Sequence, residues 1–222
     1  MTPEQLVASA AVVLTGLLCA VVTVPLLRML PEPAEPDGKR AYRDLASPHF
    51  VLACSLCAAV AAAVSWATLP PALQPAWTVL AVGGVLLAGV DAVTTWLPLT
   101  LTRMTWVAMA VATLIGASLA ASWSMLARAA VGAAVAGTVY LLIWLLSRGG
   151  LGFGDVRYAP LLGASAAAQS WELLVWALVA GSLLGALAGL ARLAVRRPGA
   201  FPYAPTMLGG TYLAALLVAL RG

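Results

Sequence analysis

The sequence predicts an all-α fold, a polytopic integral membrane helix bundle of about eight transmembrane or partly spanning helices, and three observations carry that expectation. Hydrophobic residues make up 63% of the chain and charged residues 9%, against roughly 25% charged in an ordinary soluble domain. A mean hydropathy of +0.99 leaves too few polar residues to cover a globular surface. The apolar stretches also recur at the length of about 20 residues, at about 1.5 Å each, that a helix needs to cross the hydrocarbon core. Lipid is the outer solvent this composition requires.

Taken in order, apolar runs bounded by Pro, Gly or charge predict helices over 5–27, 50–69, 76–97, 103–122, 125–146 and 171–195. Two shorter stretches, 155–168 and 205–220, fall below spanning length and read as buried or partial spans, so the count is eight, or six or seven if they do not cross. The opening MTPEQ carries Glu4 and no Lys or Arg ahead of the first apolar run, which favours a retained helix over a cleaved secretory signal. Residues 1–75 then hold two transmembrane helices joined by a short cytoplasmic loop, and 76–222 hold a six-helix core. The loop over 28–49 is interrupted by Pro31, Pro33 and Pro36 and is far too short to fold alone. It contains no cysteine, and Cys19, Cys54 and Cys57 all lie in apolar runs, so no zinc module is expected and the Cys54–Cys57 pair reads as packing. Gly181, Gly185 and Gly189 recur on one helix face and predict close approach of a neighbouring helix.

The formal charge of +4 does not point to nucleic acid, because the arginines sit at helix ends rather than on a periodic polar face. Under eight helices, Arg28, Lys39, Arg40, Arg43, Arg103, Arg148, Arg157, Arg192, Arg196 and Arg197 fall on one side, leaving Arg128 and Arg221 opposite. The positive-inside rule makes the first side cytoplasmic and places both termini outside. Trp66, Trp77, Trp123 and Trp171 then cluster near the outer ends, where indole rings sit at a headgroup boundary.

Of the eight acidic residues, Glu4, Glu32, Glu35, Asp37, Asp44 and Glu172 belong to termini or loops. Glu32, Glu35 and Asp37 read as solvated loop charges, with contact to a basic peptide as the sharper alternative. Asp91 is different. It follows AVGGVLLAGV without a loop and stands six residues, about 9 Å, inside a helix that Pro98 is expected to end. A carboxylate at the bilayer centre costs about 2.5–3.5 kcal/mol, less near the interface, so one without a purpose is improbable. Asp155 follows Gly149, Gly150, Gly152 and Gly154, whose backbones permit tight turns, and its simplest reading is a helix N-cap. The topology places both aspartates on the same face although 64 residues separate them. Two close carboxyls share one proton, and such a pair can activate water while protonating a leaving group, the chemistry of aspartic peptide hydrolysis. No rival constellation exists: His49, beside Pro48 at a helix entrance, is the one histidine, and neither G-x-S-x-G nor H-E-x-x-H occurs.

Three blocks, DAVTTWLPLTLT (91–102), GFGDVRYAPLLG (152–163) and FPYAPTMLGG (201–210), lie in this order over more than half of the chain. In them the sequence resembles the type IV prepilin peptidase family, membrane aspartyl proteases of the G-x-G-D kind. The resemblance implies that Asp91 and Asp155 are the catalytic pair, that Gly152, Gly154, Arg157 and Pro98 support the motif or the substrate, and that neither metal nor cofactor takes part. It further implies a pilin or pseudopilin precursor as partner, cut at its basic leader at the cytoplasmic face of a bacterial membrane. Leu99 stands where many relatives have Asp or Asn, and Arg157 replaces the usual Lys. Long family members also carry two C-x-x-C pairs in a cytoplasmic insert and an N-methylation activity; the pairs are missing from this loop. Arg157 itself is open between a positive-inside anchor and a partner of the carboxylates or substrate, and a homodimer stays open. The alternative class is a small proton- or cation-coupled transporter using the same aspartates, and a third is a noncatalytic scaffold for secretion machinery.

Overall fold

The computed structural model describes residues 2–32, 40–148, 150–196 and 200–221. They form an all-α polytopic bundle of eight helices: α1 (Pro3–Met29), α2 (Pro48–Thr68), α3 (Pro71–Thr94), α4 (Leu99–Leu119), α5 (Trp123–Leu146), α6 (Phe153–Gln169), α7 (Trp171–Ala194) and α8 (Ala204–Ala219). Six of these, all but α6 and α8, are long and apolar enough to cross a membrane. No strand occurs among the described residues.

Local chemistry sets several helix starts. Thr2 and Gln5 form a reciprocal capping box ahead of α1, with Pro3 at the first helical position. Ser47 caps α2 through the Phe50 N–H, and Ser170 caps α7 through the Leu173 N–H. The α2–α3 corner is tied by the buried Gln74 amide, which donates to the carbonyls of Ser65 and Leu69.

The junction of α3 and α4 departs from expectation. Pro98 does not end α3: the helix stops at Thr94, and Thr95 turns the chain with φ 57°, its N–H donating to the Asp91 carbonyl at 2.7 Å. Pro98 instead opens α4, where its carbonyl accepts from both the N–H and the hydroxyl of Thr102. Asp91 is therefore three residues from its helix end rather than six. Helix α3 itself is not a uniform rod either. It starts five residues earlier than predicted, with a 3-10 turn (Pro71–Leu73), and contains one π-helical turn at Leu80–Gly84.

One continuous apolar core joins all eight helices, from Cys19 and Leu27 on α1 to Ala214 and Ala215 on α8. Trp77 belongs to it. This ring was expected at a headgroup boundary, but it is fully buried and packs edge-to-face on Tyr212 at 5.2 Å, because α3 runs through the middle of the bundle. Trp123 and Trp171 are exposed as expected. Helix α6 is the most enclosed: twelve of its 17 residues are buried. It crosses α5 where Gly132 and Gly163 meet, and a Cβ on either would collide with the other's backbone. On α7, Gly181 lies against Gly210 of α8 and Gly185 against the Tyr203 ring, whereas Gly189 faces open space and the expected packing role stops short of it.

Alternation of the helices puts the described cations Arg28, Arg40, Arg43, Arg103, Arg148, Arg157, Arg192 and Arg196 at one end of the bundle. Lys39 and Arg197 lie outside the described residues, as do Glu35, Asp37 and Gly149. The two cations at the other end have local work. Arg128 donates to the carbonyls of Ala167 and Ala168, two of the unpaired acceptors at the end of α6. Arg221 lies over the Trp176 ring at 4.5 Å and reaches Glu172 at 4.0 Å. Arg128→Ala should strand those carbonyls and destabilise the fold by about 2 kcal/mol, read as a lower melting temperature in detergent, whereas Trp123→Ala should leave it unchanged.

Candidate functional site

Asp91 and Asp155 meet at the arginine-rich end of the bundle. Both line a single cavity of about 700 Å³. Both are buried, at 4% and 6% exposure, and both come from helices deep in the bundle. The cavity walls are the α3–α4 junction, from Thr95 to Thr100, the start of α6 from Gly152 to Arg157, and Pro31, Glu32 and Tyr42 of the loop between α1 and α2.

Each aspartate is positioned differently. The Oδ2 atom of Asp91 accepts the N–H of Ala204 at 3.1 Å. Ala204 is the first residue of α8, so the carboxylate rests on the electropositive start of that helix. The FPYAPTMLGG block thus enters the site through its backbone. Helix α3 ends one turn later, where the Thr94 hydroxyl donates to the Val90 carbonyl and accepts the Trp96 N–H. A β-branched residue with positive φ follows at Thr95, a conformation that costs about 1–3 kcal/mol and persists only where its surroundings enforce it.

Asp155 is not the N-cap that the sequence made its simplest reading. Gly152 occupies that place in extended conformation, and Asp155 stands three residues on, its N–H donating to the Gly152 carbonyl at 3.1 Å. Gly152 and Gly154 serve clearance rather than unusual dihedrals. A Cβ on Gly154 would lie 2.9 Å from the Cβ of Leu97, and one on Gly152 would lie 3.2 Å from Asp155 Oδ2. Asp155 Oδ1 is buried without a hydrogen-bond partner, a costly state for a carboxyl unless something else supplies a donor.

Two hydrogen bonds hold the cavity end of α6 in place. The hydroxyl of Tyr158, fully buried one turn after Asp155, donates to the Gly84 carbonyl at 2.9 Å. Gly84 closes the π turn of α3 and lies two helical turns before Asp91. The Trp106 indole on α4 donates to the Arg157 carbonyl at 3.0 Å. The Arg157 guanidinium lies over the Phe153 ring, 4.7 Å from its centre, and lines the cavity mouth.

The loop contributes a third carboxylate. Glu32 accepts the N–H groups of Tyr42 and Arg43, at 2.9 and 3.2 Å, and so pins a 3-10 turn over the cavity. Burial and the nearby Glu32 charge raise the Tyr42 phenol above its usual pKa. His49 is exposed at the start of α2 and does not line the cavity. Cys54 and Cys57 line a separate groove of about 620 Å³ between α2, α3 and α8, where the Tyr212 hydroxyl and these two thiols are the polar side-chain groups. That groove brings no carboxyl or amine to bear.

Tyr158, Gly84 and the Ala204 N–H were not singled out by residue type in these roles, whereas Glu32, read as a solvated loop charge with contact to a basic peptide as the alternative, does line the cavity. A weak signal existed for Tyr158, which shares a helix face with Asp155 at i, i+3; a backbone donor such as Ala204 leaves none. Compared with protein-family models, curated proteins and solved structures, the chain finds no match.

Proposed function

We propose that this protein is a membrane-embedded aspartyl endopeptidase that removes the basic leader from pilin-like precursors at the cytoplasmic face of a bacterial inner membrane. The observation that carries this is the convergence of Asp91 and Asp155, far apart in sequence, on one cavity at the end of the bundle where the described arginines gather. That arginine bias supports the cytoplasmic side.

In this mechanism the pair holds one proton between its two carboxyls. The ionised member takes a proton from water as the oxygen adds to the scissile carbonyl, and the protonated member gives its proton to the nitrogen as the C–N bond breaks. One water is consumed, and the products are a new carboxyl on the leader and a new amine on the mature chain. The unpartnered Oδ1 of Asp155 is available to that water or to the substrate. Enclosure between α3, α4 and α6 limits stray solvent. The chemistry asks for no metal or organic cofactor.

Asp91→Asn and Asp155→Asn should each lower cleavage of a precursor in proteoliposomes by at least about a thousandfold, with membrane insertion and helix content retained; a fully active Asp91→Asn protein would refute the reading. Gly154→Ala should also slow cleavage, by about tenfold or more, since Leu97 cannot give way without shifting the Asp155 turn. Gly189→Ala, which meets nothing within 4 Å, should leave the rate unchanged in the same assay.

A further inference from the structure

The loop carboxylate Glu32 takes no part in hydrolysis, yet its placement is specific. It lines the cavity with Asp91 and Asp155 and is held there by two backbone N–H groups. Those bonds fix the direction of the carboxylate and leave acceptor capacity on both oxygens. Among the described residues the one guanidinium in the lining, that of Arg157, lies over the Phe153 ring. Even with a proton shared between the aspartates, the described lining residues, three carboxyls against one guanidinium, are left net negative. Asp155 adds an unpartnered oxygen on a carboxyl more than nine-tenths buried. A cavity of this volume, with an acceptor held at its rim and another unsatisfied at its floor, is built for an extended peptide that brings a cation and backbone donors.

We infer that Glu32 is a specificity residue, the counter-charge for a lysine or arginine side chain in the peptide segment on the acyl side of the scissile bond. The inference rests on the proposed cleavage by Asp91 and Asp155, and assigns to Glu32 binding rather than chemistry. The cation would displace water from a carboxylate that is already oriented, so little further ordering is needed on the protein's side. Glu32 contacts substrate through charge, and its removal acts on KM.

The test uses the full-length protein in proteoliposomes and two synthetic precursors identical except that the leader lysines of one are glutamines in the other. The wild-type protein should favour the lysine precursor by about fivefold in kcat/KM, the range of a partly exposed ion pair. Glu32→Gln should erase that preference by raising KM for the lysine precursor about fivefold, with kcat retained, and Glu32→Asp should restore part of it. Undiminished preference in Glu32→Gln would overturn the assignment while leaving the aspartate pair intact. Loss of cleavage of both precursors by the wild-type protein would instead remove the parent reading. Should Glu32→Gln fail to insert, carbodiimide coupling in the Asp155→Asn background decides the matter. An amide between Glu32 and a leader lysine, mapped by mass spectrometry, supports the role, and coupling confined to other carboxyls overturns it.

Discussion

The hydrogen bond from the Tyr158 hydroxyl to the Gly84 carbonyl is the contact on which the site's geometry depends. It joins the helix that carries Asp155 to the helix that carries Asp91, in the fully buried interior, where a hydroxyl without an acceptor would be expensive. Its acceptor is supplied by the π turn of α3, a local departure from α geometry that re-aims backbone carbonyls. One end of the bond lies a turn from one carboxyl, and the other end lies two turns from the second. A rotation of either helix that parted the carboxyls would first have to break this bond.

Around that contact the molecule restrains its aspartates unequally. Asp91 leans on the start of α8, so the last helix of the chain takes a direct part in holding it. Asp155 is held by backbone and clearance alone: a Gly152 cap, the close pass of Leu97 over Gly154, and the Trp106 bond to the Arg157 carbonyl. One carboxyl oxygen there stays unpaired. Fixed on one side and unsatisfied on the other, the pair suits the proposed exchange of protons with a bound water better than a purely structural role.

Much of the fold was legible because lipid imposes so few solutions. All eight helices could be placed from apolar run length, and the same-end placement of Asp91 and Asp155 followed from counting crossings. What failed did so for identifiable reasons. Pro98 looked like a terminator because proline breaks helices, yet a left-handed Thr95 had already ended α3, and proline is equally suited to a helix start. Trp77 matched the composition of an aromatic belt, but nothing in its own neighbourhood showed that its helix would be surrounded on all sides. Asp155 resembled a cap because Asp favours that position, and Gly152, which offers no side chain, holds it instead. Contacts made by backbone atoms, such as the Ala204 N–H, carry no residue code to read.

The brevity and enclosure of α6 have a consequence for what keeps this helix in place. At 17 residues, with most of its surface covered by protein, this helix has little apolar exterior to offer lipid on its own. Its far end depends on Arg128 of the preceding helix for hydrogen-bond donors. Its environment is therefore supplied by neighbouring helices, whereas the six long apolar helices have the length to face lipid themselves. The place of Asp155 beside Asp91 accordingly rests on contacts between helices and not on the bilayer.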